Sequence, residues 1–130
     1  MRGIKDPVMW SNFLFILNAA LWFVSGHIAA ALLIGLTGLA SFAYHAYRED
    51  WYVTKYIDIC LAHIALFYTV WVTLPRIRVE HTVVLGAILW IGLRVKREAV
   101  SSGSYDMYHT MWHFCVFAGQ ALLAYIHQAC

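Results

Sequence analysis

Charge is scarce in this chain. Of 130 residues only 12% are Asp, Glu, Lys or Arg, about half the share in an ordinary soluble domain. Proline occurs twice, and no low-complexity tract, polar insertion or internal repeat interrupts the sequence. So low a charge argues against an ordinary soluble domain, and no nucleic-acid partner is expected. The few prolines and short polar stretches predict one domain over 1–130 with short loops. Cysteine is limited to Cys60, Cys115 and Cys130. An odd count gives no disulfide framework, and the first two lie in apolar sequence where free cysteine acts as a small buried hydrophobe.

What is abundant is apolar sequence, at 62% of residues and a mean hydropathy of +0.66. A soluble chain this short has too little interior to bury so much. The expected class is therefore all-α, a polytopic transmembrane bundle. Five apolar segments stand out: about Val8–Val24 after Pro7, His27–Ala46, Trp51–Leu74 before Pro75, Thr82–Leu93, and Met107–Ile126. Pro7 suits a first helical turn, and Ser25-Gly26 breaks the first segment. Arg2 and Lys5 ahead of an apolar run resemble a signal peptide, but the run is read as a retained helix. The fourth segment is short for a span of roughly 17–25 residues and must recruit Val79, His81 and Val95.

If all five cross, Arg2, Lys5, Arg48, Lys55, Arg94, Lys96 and Arg97 fall on one side, and Arg76 and Arg78 on the other. That asymmetry predicts a cytoplasmic N-terminus and a C-terminus on the far side. Tyr47, Trp51, Tyr52, Tyr105 and Tyr108 would form an aromatic belt at the cytoplasmic edge.

Polar residues inside these segments follow a pattern. Ser41 and His45 are four apart, Asp58 lies about two turns into the next segment, and His109 and His113 are again four apart. Residues four apart share a helix face. With five crossings, all five residues reach one depth near the cytoplasmic face. Three imidazoles with a carboxylate and a hydroxyl are the equipment of a catalytic zinc site with an open position for water. Each residue alone has a plainer role: Asp58 as a cap or partner of Lys55, a lone histidine as an interfacial residue, Ser41 as packing in a stripe with Gly35 and Gly38. Ionisable residues within membrane helices are functional candidates by default, and here several converge. His63 points about 140° away from Asp58 around its helix. His27 and His127 lie roughly 20–27 Å from the group by helical rise; with His81 they are read as residues of the far interface.

The segment SFAYHAY, the following Asp58 and the segment YHTMWHF resemble the CREST superfamily of membrane hydrolases. That superfamily comprises alkaline ceramidases, adiponectin and progestin receptors, and bacterial haemolysin III proteins. The resemblance covers the second, third and fifth segments, and Tyr44-His45-Ala46 and Trp112 are similar to the ceramidase branch. It implies that His45, His109 and His113 ligate zinc, with Asp58 and Ser41 at the zinc-bound water. It also implies a lipid substrate entering from the bilayer, with a ceramide-like amide as the nearest analogue. Family members have seven helices and this chain has room for five. Loss of a helix pair preserves the direction of the last helix, and homo-oligomerisation is then one way to complete the bundle. Two other classes remain: a b-type cytochrome binding haem through His63 and a histidine of another helix, and a non-enzymatic receptor or scaffold tied by zinc.

Overall fold

The computed structural model describes residues 6–46 and 52–129, and these are helical nearly throughout. In order they form α1 (Pro7–Ser11), α2 (Phe13–Val24), α3 (Ile28–Ala46), α4 (Tyr52–Thr73), a 3-10 turn (Leu74–Arg76), α5 (Val79–Ser101) and α6 (Tyr105–Gln128). Arg2, Lys5 and Arg48 of the expected cytoplasmic charges, Tyr47 and Trp51 of the expected belt, and Cys130 lie outside the described residues.

The first apolar segment is two helices rather than one. Pro7 starts α1, with the Asp6 carboxylate accepting the Val8 N–H at 2.9 Å. At its end Ser11 Oγ and Asn12 Nδ2 both donate to the Val8 carbonyl, at 2.8 Å each, and the Asn12 N–H donates to Met9 O. Short polar side chains that capture nearby carbonyls compete with the helical ladder. The chain therefore tightens for one turn at Asn12 before α2 resumes. Gly26, at φ +84°, turns the chain from α2 into α3, a conformation in which glycine carries no steric cost.

Helices α2, α3, α4 and α6 form a ring: α2 packs on α3 and α6, and α4 likewise packs on α3 and α6. This leaves α3 and α6 diagonal across the centre. Helix α1 folds against α6, α2 and α3 at one end, and α5 packs along the outside of α6. The core joins Trp22, Ala30, Ala31, Ile34, Ala65, Leu123 and Ala124. Alanines on α3, α4 and α6 let the helices draw close around the single large Trp22. Its indole N–H is satisfied inside the bundle: Trp22 Nε1 donates to Gln120 Oε1 at 3.1 Å, and Gln120 Nε2 donates to Thr69 Oγ1 at 3.1 Å. This relay ties α2, α6 and α4 together, and buried polar groups are tolerated when each has its partner.

The Gly35–Gly38 stripe is a contact surface. A Cβ at Gly38 would sit 2.6 Å from Phe15 Cβ, and one at Gly35 would lie 3.9 Å from Ala19 Cβ. Glycine thus sets the spacing of α2 and α3. Gly92 does the same between α5 and α6, where a Cβ would approach Trp112 to 2.9 Å and Cys115 Cβ to 3.3 Å.

The outside of the bundle is apolar as well. Leu32, Leu36 and Leu39 on α3, Phe67 and Trp71 on α4, and Val83 and Trp90 on α5 are all exposed. Among the described residues three stretches are long and apolar enough to cross a membrane: Pro7–Val24, Ile28–Ala46 and Tyr52–Arg76. Helix α5, expected to be short, runs for 23 residues. It gains length at both ends by taking in Val79, Glu80 and His81 and the charged run from Arg94 to Glu98. Cys60 is exposed rather than buried, and Cys115 is half-buried in the α5–α6 seam. An apolar segment whose outer face is itself apolar does not reveal which of its positions point inward.

Candidate metal centre

The three histidines expected to converge do so. His45 ends α3, and His109 and His113 occupy the second and third turns of the diagonal helix α6. One ligand atom from each ring lies within 4.8 Å of those of the other two. Ring centroids are 4.7 Å apart for His45 and His109, 4.8 Å for His109 and His113, and 5.9 Å for His45 and His113. His45 is fully buried and His113 is 4% exposed. This convergence requires α5 to run the full length of the bundle, so that α6 starts from the end where α3 finishes.

The nearest pair of ring nitrogens has the spacing of two ligands on a small tetrahedral cation. His45 Nε2 and His109 Nε2 face each other at 3.1 Å. Zinc–nitrogen bonds of about 2.0–2.1 Å in a tetrahedron place ligand nitrogens about 3.3 Å apart. The third ring is oriented from behind. Ser11 Oγ lies 2.8 Å from the Val8 carbonyl and 2.6 Å from His113 Nδ1. With the hydroxyl proton on the carbonyl, the ring donates from Nδ1 and Nε2 is its lone-pair nitrogen. Fixing a ligand's tautomer through its other ring nitrogen is a recurrent feature of metal sites.

Aromatic rings hold the cluster in place. Phe15 meets His113 edge-on at 5.5 Å, Tyr105 stacks on His109 at 4.8 Å, and Tyr44 flanks His45 at 4.9 Å. Phe15 is also the residue that Gly38 admits, so the α2–α3 spacing and the His113 ring share a neighbour.

Ser41 is buried one turn from His45 on α3, and Asp58 is half-buried on α4, near enough to His45 for their charges to interact. Neither the Ser41 hydroxyl nor the Asp58 carboxylate hydrogen-bonds to another described residue, so both keep their full capacity toward a water or substrate. Lys55 is exposed.

In comparison with known proteins, no family model, no curated protein and no solved structure matches this chain.

Ser11 was not anticipated from the sequence. Its signal was present: Ser11, Asn18 and Trp22 recur at helical spacing within an apolar run and are all buried. The remaining histidines stand apart from the centre. His63 is exposed, hydrogen-bonded to Ile59 O at 2.7 Å with Phe67 beside it. His81 Nδ1 accepts the Arg78 N–H at 3.1 Å at the start of α5. His27 and His127 meet at the opposite end of the bundle.

Proposed function

We propose that the chain is a zinc-dependent hydrolase of membrane lipids, similar in its site to the CREST enzymes, with His45, His109 and His113 as the zinc ligands. The observation that carries this reading is the convergence of three histidines, two buried and one half-buried, from diagonal helices on one point, with the Ser41 hydroxyl one turn from His45 and the Asp58 carboxylate near enough to His45 for their charges to interact. A structural histidine cluster needs neither. Four-helix bundles recurrently build metal sites between facing helices in this manner.

Zinc bound there supplies a Lewis acid and a water acidic enough to be deprotonated near neutral pH. The Asp58 carboxylate accepts the water's proton and returns it to the departing amine or alcohol, as general acid–base catalysis requires. The Ser41 hydroxyl steadies the water or donates to the carbonyl oxygen as negative charge develops on it. Ser11 keeps His113 in the required tautomer. The substrate is a lipid with an amide or ester carbonyl that enters sideways from the bilayer, and the family resemblance favours a ceramide-like amide.

The same reading takes α5 and α6 as membrane spans beside the three more apolar stretches. It sets the N-terminus and the metal centre toward the cytoplasm. The test is lipid turnover by purified protein in mixed micelles, with zinc content measured in parallel. Hydrolysis that is lost in Asp58→Asn while zinc is retained supports the enzyme. Full zinc occupancy in wild-type protein with no turnover of amide or ester lipids overturns it in favour of a zinc-tied scaffold.

A further inference from the structure

At the end of the bundle opposite the three-histidine centre, three basic residues from separate elements meet. His27 stands immediately before α3, His127 is in the last turn of α6, and Arg76 closes the Leu74–Arg76 turn. The two imidazole centroids are 5.0 Å apart, with Trp22 behind both and Tyr68 edge-on to His27 at 5.5 Å. Arg76 Nη1 lies 2.9 Å from His127 Nδ1. A guanidinium only donates, so His127 Nδ1 accepts and its Nε2 carries the proton.

The cluster is therefore rich in donors and holds a permanent positive charge. No carboxylate pairs with Arg76 among the described residues; Glu80 lies by Arg78 instead, at 4.0 Å. A second divalent metal is disfavoured, because Arg76 is a fixed cation and already occupies a ring nitrogen. The start of α3 directs its helix dipole favourably toward an anion. The end of α6 opposes one, and Arg76, set over that last turn, offsets the opposition.

A groove of about 380 Å³ adjoins the cluster, lined by His27, Trp71, Val72, Leu74, Pro75 and His127. Trp71 and Leu74 are 74% and 57% exposed, so its apolar wall opens onto the outer face of the bundle. One end of the groove is formed by the two imidazoles, with Arg76 bonded to His127 beside it, and the rest is apolar. We propose that this groove binds the acidic head of an amphiphile, a carboxylate or a phosphate, with the acyl chain lying along Trp71 and Leu74. It lies at the other end of the molecule from the metal centre and does not depend on the hydrolase reading.

The test uses the purified full chain in neutral detergent at about pH 8, where both kinds of acid are ionised. Binding of oleic acid is compared with oleyl alcohol, and lysophosphatidic acid with monoolein. The expected result is about tenfold tighter binding of at least one acid than of its neutral counterpart, as for charge-assisted hydrogen bonds. The better-bound acid identifies the head group. Arg76→Gln should bring acid and neutral forms to parity, and Arg76→Lys should restore part of the preference. His27→Gln provides a second variant that leaves the Arg76–His127 pair intact and should weaken the preference by a smaller factor. Equal binding of acids and neutral forms by the wild type overturns the proposal, as does an undiminished preference in Arg76→Gln and His27→Gln proteins of unchanged helicity. Zinc content should stay constant throughout, so failure here leaves the metal centre untouched.

Discussion

Asp58 on α4 and Ser11 on α1 reach the proposed centre through different histidines, His45 and His113, and each can be altered without removing a metal ligand. Asp58→Asn keeps the shape of the side chain but removes its basic oxygen. It should retain zinc and lose about 10²–10⁴-fold in hydrolytic rate, the usual worth of a positioned base; single-turnover assays with zinc analysis check this. Ser11→Ala removes the acceptor that holds the His113 tautomer. Zinc affinity should fall about 10–100-fold, as for other residues that orient a ligand from behind, and competition with a chelator measures it. Ser41→Ala should be milder than Asp58→Asn, because one hydrogen bond is lost while the base remains. The i,i+4 pairs were legible because helical periodicity alone puts His109 beside His113 and Ser41 beside His45. Ser11 was not, because its role depends on α1 packing against α6, a contact across 102 positions of sequence.

At the level of elements, glycine sets how near the helices come. Gly38→Ala would place a methyl group 2.6 Å from Phe15 Cβ, so α2 and α3 must separate or Phe15 must move. Overpacking of this kind costs about 1–3 kcal/mol. Because Phe15 also supports the His113 ring, Gly38→Ala should weaken zinc retention as well as lower the thermal midpoint. Unchanged zinc affinity in a destabilised protein would show that Phe15 does not transmit the strain. The extents of α3, α4 and α6 followed from apolar runs bounded by Gly26, Pro75 and the serines at 101–104. The break at Asn12 and the full length of α5 did not. The first depends on Ser11 and Asn12 side chains capturing one carbonyl. In the second, the charged residues from Arg94 to Glu98 obscured a helix that packs along α6.

For the molecule as a whole, the direction of α5 determines whether the centre exists. If α5 crosses the membrane with the other helices, labelling should find the 96–104 segment on the same side as the 48–50 segment, with the C-terminal end opposite. Labelling of those two segments from opposite sides would separate His45 from the α6 pair by the bilayer thickness, roughly 30 Å. The diagonal arrangement of α3 and α6 could not be read from hydropathy, which reports depth and face but not which helices are neighbours. Depth alone was enough to bring the three histidines to one level, and the ring of α2, α3, α4 and α6 brings them together.

The most direct test is the zinc content of purified protein, wild type beside His45→Ala, His113→Ala, His27→Ala and His127→Ala. A three-histidine centre at the α1 end of the bundle predicts a single equivalent of zinc in the wild type. Both far-end variants should retain it, and His45→Ala and His113→Ala should lose it. Zinc that persists in His113→Ala, or that disappears in His127→Ala, would contradict the account.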